Sequence, residues 1–199
     1  MQQPTIKIGL IGEDSTDTDA IAHLLKQKHD AGYRYRTLSL HKRGSQIFTE
    51  SAVKSFNFEI KKDPPHYVIV IADADAVNTE TDKIRDKKAL YERLAKALNC
   101  RSLLLLNIYE LEALIFADID TFNKLYNTAI KGNRNVTYID KPKEELMRKT
   151  KEPKKYSESH CPELFKILKI DVISKNCAYF DTFLNEFSGL NAGNKKSAN

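Results

Sequence analysis

The sequence predicts an α/β protein: a Rossmann-like parallel sheet of about four strands with helices on both faces, followed by a mostly helical C-terminal region. Three observations predict it. Short apolar runs at Thr5–Ile11, Tyr67–Ala72 and Ser102–Asn107 have the composition of strands buried on both faces. Helical patterns separate them, and crossovers of that length suit right-handed βαβ units. Beyond about residue 118 the strand pattern stops and short amphipathic pieces replace it.

In chain order, Thr5–Ile11 is the first strand, and Gly12-Glu13-Asp14 follows it. Ser15 and Thr16 are good N-caps, while Asp17 and Asp19 complement the positive end of a starting helix. Ala20, Ile21, Leu24 and Leu25 then share one helical face up to about His29. Tyr33–Leu40 alternates apolar and polar residues, the pattern of an edge strand with one wet face. His41-Lys42-Arg43-Gly44 is a basic turn, and Ser45–Lys62 is an irregular helix carrying Ile47, Val53 and Phe56 that Pro64-Pro65 brings to an end. After the strand at Tyr67, the clearest helix spans Thr81–Leu98, with Ile84, Leu90, Leu94, Ala97 and Leu98 inward.

Ser102–Asn107 is the next buried strand; Glu110–Asp120 then reads as helical and Phe122–Ile130 continues it. Lys141–Thr150 is a charged helix, with Pro153 breaking helical continuity beyond it. Glu163–Leu168, Val172–Ala178 and Phe180–Phe187 are short amphipathic pieces, and Asn191–Asn199 has no core residues and is expected to fray. The organisation expected is therefore an α/β core over 1–120, a basic helical extension packed on it over 121–190, and a disordered tail over 191–199.

Composition narrows the function classes. Of 199 residues, 41% are hydrophobic, enough for a core, and 30% are charged, which suits a soluble surface. No apolar run approaches the roughly 20 residues that span a bilayer, so no membrane partner is expected. The first residues, Met-Gln-Gln-Pro-Thr, do not resemble a secretory signal. Cys100, Cys161 and Cys177 fit neither a disulfide framework nor a zinc motif, which makes a reducing cytoplasm the default. The net charge of +5 is concentrated: residues 128–155 hold nine Lys or Arg and four Asp or Glu, so the rest of the chain sums to zero. A basic block beside a neutral, acid-tipped sheet is the distribution of a protein that handles a polyanion. Its candidate nucleic-acid contacts are Lys141, Lys143, Arg148, Lys149, Lys151, Lys154 and Lys155, against the plainer reading of lysines on a solvated surface.

The chemistry is expected where the central strand ends. Tyr67–Ile71 is apolar, and Ala72 leads directly into Asp73 and Asp75, separated by one small residue. In an open parallel sheet this carboxyl edge is where ligands bind. Two carboxylates on a rigid strand end repel each other unless a metal or a proton comes between them, and Mg²⁺ favours such oxygen ligands together with waters and a phosphate. Glu13, at the exit of the first strand, lies on the same edge if the two strands are parallel neighbours. Against this stand the readings of Asp73 and Asp75 as caps and of Glu13 as a loop acid. Helix-dipole complementarity explains Asp17 and Asp19. Glu110 and Glu112 would lie about 200° apart on a regular helix, so Glu110 is expected to reach the edge and Glu112 to pair with a lysine. The five histidines are scattered and take no role.

Glu13-Asp14-Ser15-Thr16-Asp17 together with Asp73-x-Asp75 resembles the TOPRIM domain of topoisomerases, primases and related nucleases. Asn107–Asp118, which carries Glu110, Glu112 and Ala113, is similar to the Glu-x-Glu-Ala-x-Leu segment of single-domain bacterial TOPRIM-like proteins, some found among phage-defence genes alongside overcoming-lysogenization-defect-type nucleases. Lys141–Leu146 and Tyr156 look like that family's C-terminal half. The resemblance implies Glu13 as the general acid/base, Asp73 and Asp75 as the Mg²⁺ (or Mn²⁺) pair, and Asp17, Glu110 and Glu112 as accessory acids. It implies a nucleic-acid phosphodiesterase or nuclease, DNA or RNA as partner, and a second protein or ATPase supplying specificity. Asp14 stands where the family usually has glycine, which bears on how close the loop can approach and on whether the site is active. Two other classes compete. One is a catalytically weak TOPRIM-like binding subunit. The other is a receiver-like phosphoacceptor, which needs a lysine after its last sheet strand that Asn107–Asp118 does not supply.

Overall fold

In the computed structural model residues 5–38, 44–132 and 135–196 are described; the expected basic turn at 41–43 and the end of the tail lie outside them. Four strands, β1 (Ile6–Ile11), β2 (Tyr33–Thr37), β3 (Tyr67–Asp73) and β4 (Ser102–Asn107), form one sheet in the order β2-β1-β3-β4, every pair parallel. The expected neighbours are neighbours: Ile8 pairs with Tyr67 and Ile11 with Val70. β2, the alternating strand, lies at an edge.

Each strand feeds both faces, as a period of two requires. Ile8, Leu10, Ile69, Ile71 and Leu105 point into one core; Ile11, Val68 and Val70 point into the other. The second core is closed by α2 (Glu50–Lys62) and α3 (Thr81–Ala97) through Phe56, Ile60 and Leu94. The first and larger core is closed by α1 (Ser15–His29) together with the C-terminal half of the chain: α4 (Ala113–Ala117), α5 (Ile119–Tyr126), α6 (Pro142–Lys149), α7 (Cys161–Ile167), α8 (Ile170–Asn176) and α9 (Ala178–Lys196). Phe122, Tyr156, Phe165, Phe180 and Phe187 are all buried there. The helical extension is thus part of the layer covering one sheet face. Gln27 of α1 ties it down: its amide donates to the Leu168 carbonyl at 2.6 Å and accepts from the Ile170 amide at 3.1 Å, across the break between α7 and α8.

Several boundaries differ from the sequence reading, each for a local reason. A 3₁₀ turn occupies Gly44–Phe48, and α2 starts at Glu50 because the Thr49 hydroxyl caps it, accepting from the Ala52 amide at 3.3 Å. The helix expected over Glu110–Asp120 begins only at Ala113, since Tyr109 holds φ +65°, and it breaks at Asp118. Ala97, expected inward, is exposed. α6 stops at Lys149, ahead of Pro153: Thr150 is extended, and its hydroxyl closes the end by donating to the Leu146 carbonyl at 2.9 Å. α9 runs on to Lys196, past the point where fraying was expected.

Candidate functional site

The strand order creates the site. In a doubly wound sheet of order 2-1-3-4 the connections leaving β1 and β3 go to opposite faces, opening a crevice between the two strand ends. Here α1 leaves β1 towards the larger core and α3 follows β3 over the smaller one. Glu13 and Asp73 flank that crevice. The Asp73 amide donates to Glu13 Oε1 at 3.3 Å, so the two strand exits are in direct contact.

Local sequence explains the turn after β1. Asp14, the residue that departs from the usual glycine, is extended (φ −138°, ψ 163°) and needs no glycine. It is the true N-cap of α1, in place of Ser15 or Thr16. Its carboxylate accepts from the Thr16 amide at 2.9 Å, and Asp17 answers by accepting from the Asp14 amide at 3.1 Å, a reciprocal capping box. Close approach falls instead to Gly12, where a Cβ would sit 2.8 Å from the Thr18 side chain.

After β3 the chain stays stitched to β4: the Ala74 amide donates to the Asn107 carbonyl, the Asp75 amide to the Tyr109 carbonyl and the Tyr109 amide to the Ala76 carbonyl, each at 2.9 Å. This holds Asp75 (φ +51°) and Tyr109 in left-handed conformations uncommon outside glycine, a form of strain that clusters at functional sites. The exposed Asp75 carboxylate and the largely covered Glu13 carboxylate meet on one cation. Lys87 Nζ of α3 lies 3.2 Å from Glu13 Oε1 and 3.4 Å from Asp75 Oδ2.

Asp73 faces inward. Its Oδ1 accepts from Asn107 Nδ2 at 2.9 Å, and Asn107, the register partner of Asp73, is fully buried. The remaining Asn107 amide oxygen is buried and finds no hydrogen-bond partner among the described residues. Burial holds the Asp73 carboxyl well above the usual carboxylate range, and the charges of Asp17, Glu13 and Glu112 push the same way against the Asn107 amide. Asp17 is pushed up to about 7, first by burial and then by Asp14, Glu13 and Glu158, in spite of the amide bond from Asp14. Asp17, expected only to complement the helix dipole, thus also closes the capping box, and its carboxyl belongs to the crevice as well.

Glu110 and Glu112 come out differently from the sequence reading. Both precede α4, so helical spacing does not separate them. Glu110 is the acid that meets a lysine: its carboxylate accepts from the Lys143 amide at 2.8 Å and lies 3.7 Å from Lys143 Nζ. Glu112 is buried at 4% exposure, accepts from the Tyr156 hydroxyl at 3.2 Å and lies beside Cys161. Burial, then Glu110, push it up to about 7. Burial alone would lower Lys143, but Glu110, Glu158 and Glu112 hold it above its ordinary value. Lys143 is thus an internal counter-ion. The rest of the basic block is open: Lys141, Arg148, Lys149, Lys151, Lys154 and Lys155 are exposed, and Lys149, Lys151 and Lys154 line a groove of about 700 Å³ with Lys124 and Tyr126.

Two residues escaped the sequence reading. Asn107 was legible as a polar end to an apolar run, the counterpart of Asp73 at the end of its own. Lys87 was legible as a lysine in the inward stripe Ile84, Lys87, Tyr91, Leu94.

The carboxylates of this edge are oxygen donors, the type a hard divalent cation takes. Glu13 and Asp75 already share one positive charge, all the donors are oxygens, and Asp75 opens to solvent. Among the described residues no three such side chains stand ready as a ligand set, because Asp73 is turned to Asn107 and Lys87 takes the space between the other two.

Comparison with known proteins gives a family and no named relative. Among curated proteins and among solved structures, none matches the chain. A match to the domain of unknown function DUF4276 begins at Gly12 and ends at residue 188, so it takes in every acid of the crevice and most of the helical cover of the larger core. The chain belongs to the DUF4276 family.

Proposed function

We propose that this protein is a Mg²⁺- or Mn²⁺-dependent phosphodiesterase of TOPRIM type that acts on nucleic acid. One observation carries the reading: Glu13 and Asp75, from the exits of adjacent parallel strands, converge on the ammonium of Lys87 beside Asp73. Glu13, Asp73 and Asp75 would hold the metal, Asp73 after turning from Asn107. When bound, the ion neutralises a phosphodiester and the charge that develops as it is cleaved. Glu13, which also reaches the Asp73 amide through Oε1, is placed to move a proton at its other carboxylate oxygen. Asp17 and Asn107 position the Asp73 carboxyl from either side. Water is the nucleophile in this reading.

The exposed lysines of the groove at 149–154 suit a phosphate backbone, with a second protein supplying specificity. Among the described residues no helix is long and apolar enough to cross a membrane. We place the protein in the cytoplasm, where Cys100, Cys161 and Cys177, none in a disulfide, would stay reduced, and a role in phage defence or nucleic-acid processing follows from the reading.

The test is incubation of plasmid DNA and of RNA with the protein and Mg²⁺ or Mn²⁺, beside Asp73→Asn. Cleavage that needs the metal and is lost in a variant with unchanged circular dichroism is expected. Binding of nucleic acid with no cleavage in either metal would replace this reading with that of a binding subunit.

A further inference from the structure

α3 carries most of its charge outward. Lys83 pairs with Glu80 and Arg85 with Asp82, three residues apart on an exposed face. Lys87 differs. It occupies the stripe that Ile84, Tyr91 and Leu94 use to pack on the sheet, and its side chain is only 14% exposed. A lysine in such a stripe costs desolvation unless its ammonium is paired. Here it is paired twice, at 3.2 Å to Glu13 and 3.4 Å to Asp75, with carboxylates that come from two different strand exits.

We propose that Lys87 is a tethered competitor for the cation site. In the metal-free protein its ammonium holds Glu13 and Asp75 together, and it must leave before a divalent ion can bind both. This rests on the metal-binding reading given above and adds to it how that site is regulated. The two cations exclude each other. Mg²⁺ draws its oxygens to about 2.0–2.1 Å in near-octahedral array, which leaves no space for an ammonium between the same two carboxylates. Release is easy for this residue, because the four-carbon stem is flexible while Leu94 and Ile84 keep the helix in place. The apparent metal affinity is then the intrinsic affinity reduced by the fraction of molecules in which Lys87 has left. One side chain thus sets the metal concentration at which the site fills.

Calorimetric titration of the metal-free full chain with Mn²⁺, comparing wild type, K87Q, K87R and Asp73→Asn, tests this. K87Q is expected to bind Mn²⁺ at least about fivefold more tightly, the lower end of ordinary coupling between competing ligands, while K87R, which keeps the charge, stays near wild type. A second measurement needs no variant. Amine acylation of the wild type read by mass spectrometry should label Lys87 more in Mn²⁺ than without it. Equal or weaker Mn²⁺ binding by K87Q, or Lys87 labelling that does not rise with Mn²⁺, overturns the competitor role. If Asp73→Asn still abolishes binding in that case, the metal-dependent reading stands. No Mn²⁺ binding to either wild type or K87Q overturns both.

Discussion

Two acidic groups rise from the same sheet edge and meet opposite fates. Glu13, Asp73 and Asp75 leave β1 and β3; Glu110 and Glu112 leave β4. The first group flanks the crevice where α1 and α3 part to opposite faces, and its Asp75 is exposed. The second is sealed by the C-terminal half: Lys143 takes Glu110, while Tyr156 and Cys161 cover Glu112. The covered group is held by groups of the protein itself, so its part is structural. Among the described residues the open group shares one side-chain cation, Lys87, between two of its three members, on a stem flexible enough to leave. Position on the edge made both groups candidates, and the cover decided between them.

The largest effect that would sharpen this contrast is expected from Asp73→Asn. Mn²⁺ affinity measured by calorimetry should fall by more than the roughly 10- to 100-fold that losing an outer partner costs. The melting temperature should hold or rise, because a buried, mutually repelling carboxylate is removed. Asn107→Ala removes only the amide that orients Asp73, and a loss within that roughly 10- to 100-fold range is expected in the same titration. An unchanged affinity would detach the β4 exit from the open site.

The basic groove should affect nucleic acid and leave the metal alone. Replacing Lys149, Lys151 and Lys154 together by Gln is expected to flatten the dependence of log binding constant on log salt by about 2 to 3, from roughly 0.7–0.9 per phosphate, with no change in Mn²⁺ affinity. An unchanged slope would return the block to solvated surface.

The smallest effect on the open edge belongs to Glu112→Gln, which should leave metal binding as it was. Its effect is on stability against pH. Glu112 is held at about 7 in the folded protein against an ordinary 4.5. The folded state therefore keeps a proton that the unfolded chain releases between those values, and stability falls as pH rises through about 7. Denaturant unfolding at pH 5.5 and 8 should show a shallower fall in the variant, leaving the parts due to Asp17, Asp73 and Glu110. Loss of Mn²⁺ binding in Glu112→Gln would break the comparison, since it would make the sealed acid part of the site.

The sequence by itself determined the strands, their parallel sense and the carboxyl edge, because buried runs such as Val68–Ile71 and the two-carboxylate exit that follows are local signals of period and polarity. It determined that Glu13 and Asp73 would be neighbours once β1 and β3 were. Local chemistry also set the helix start at Asp14, though Ser15 and Thr16 offered rival caps within two residues.

Only the tertiary structure decided which acids stay open. Glu110 and Glu112 differ by two positions and share a residue type, yet one meets Lys143 and the other is buried under Tyr156, 33 and 44 residues further along the chain. Lys87 was one lysine among many until α3 turned its stripe to the sheet and brought its ammonium to Glu13, 74 residues earlier. Burial and charge pairing depend on which distant surfaces pack together, and no local period of the sequence carries that.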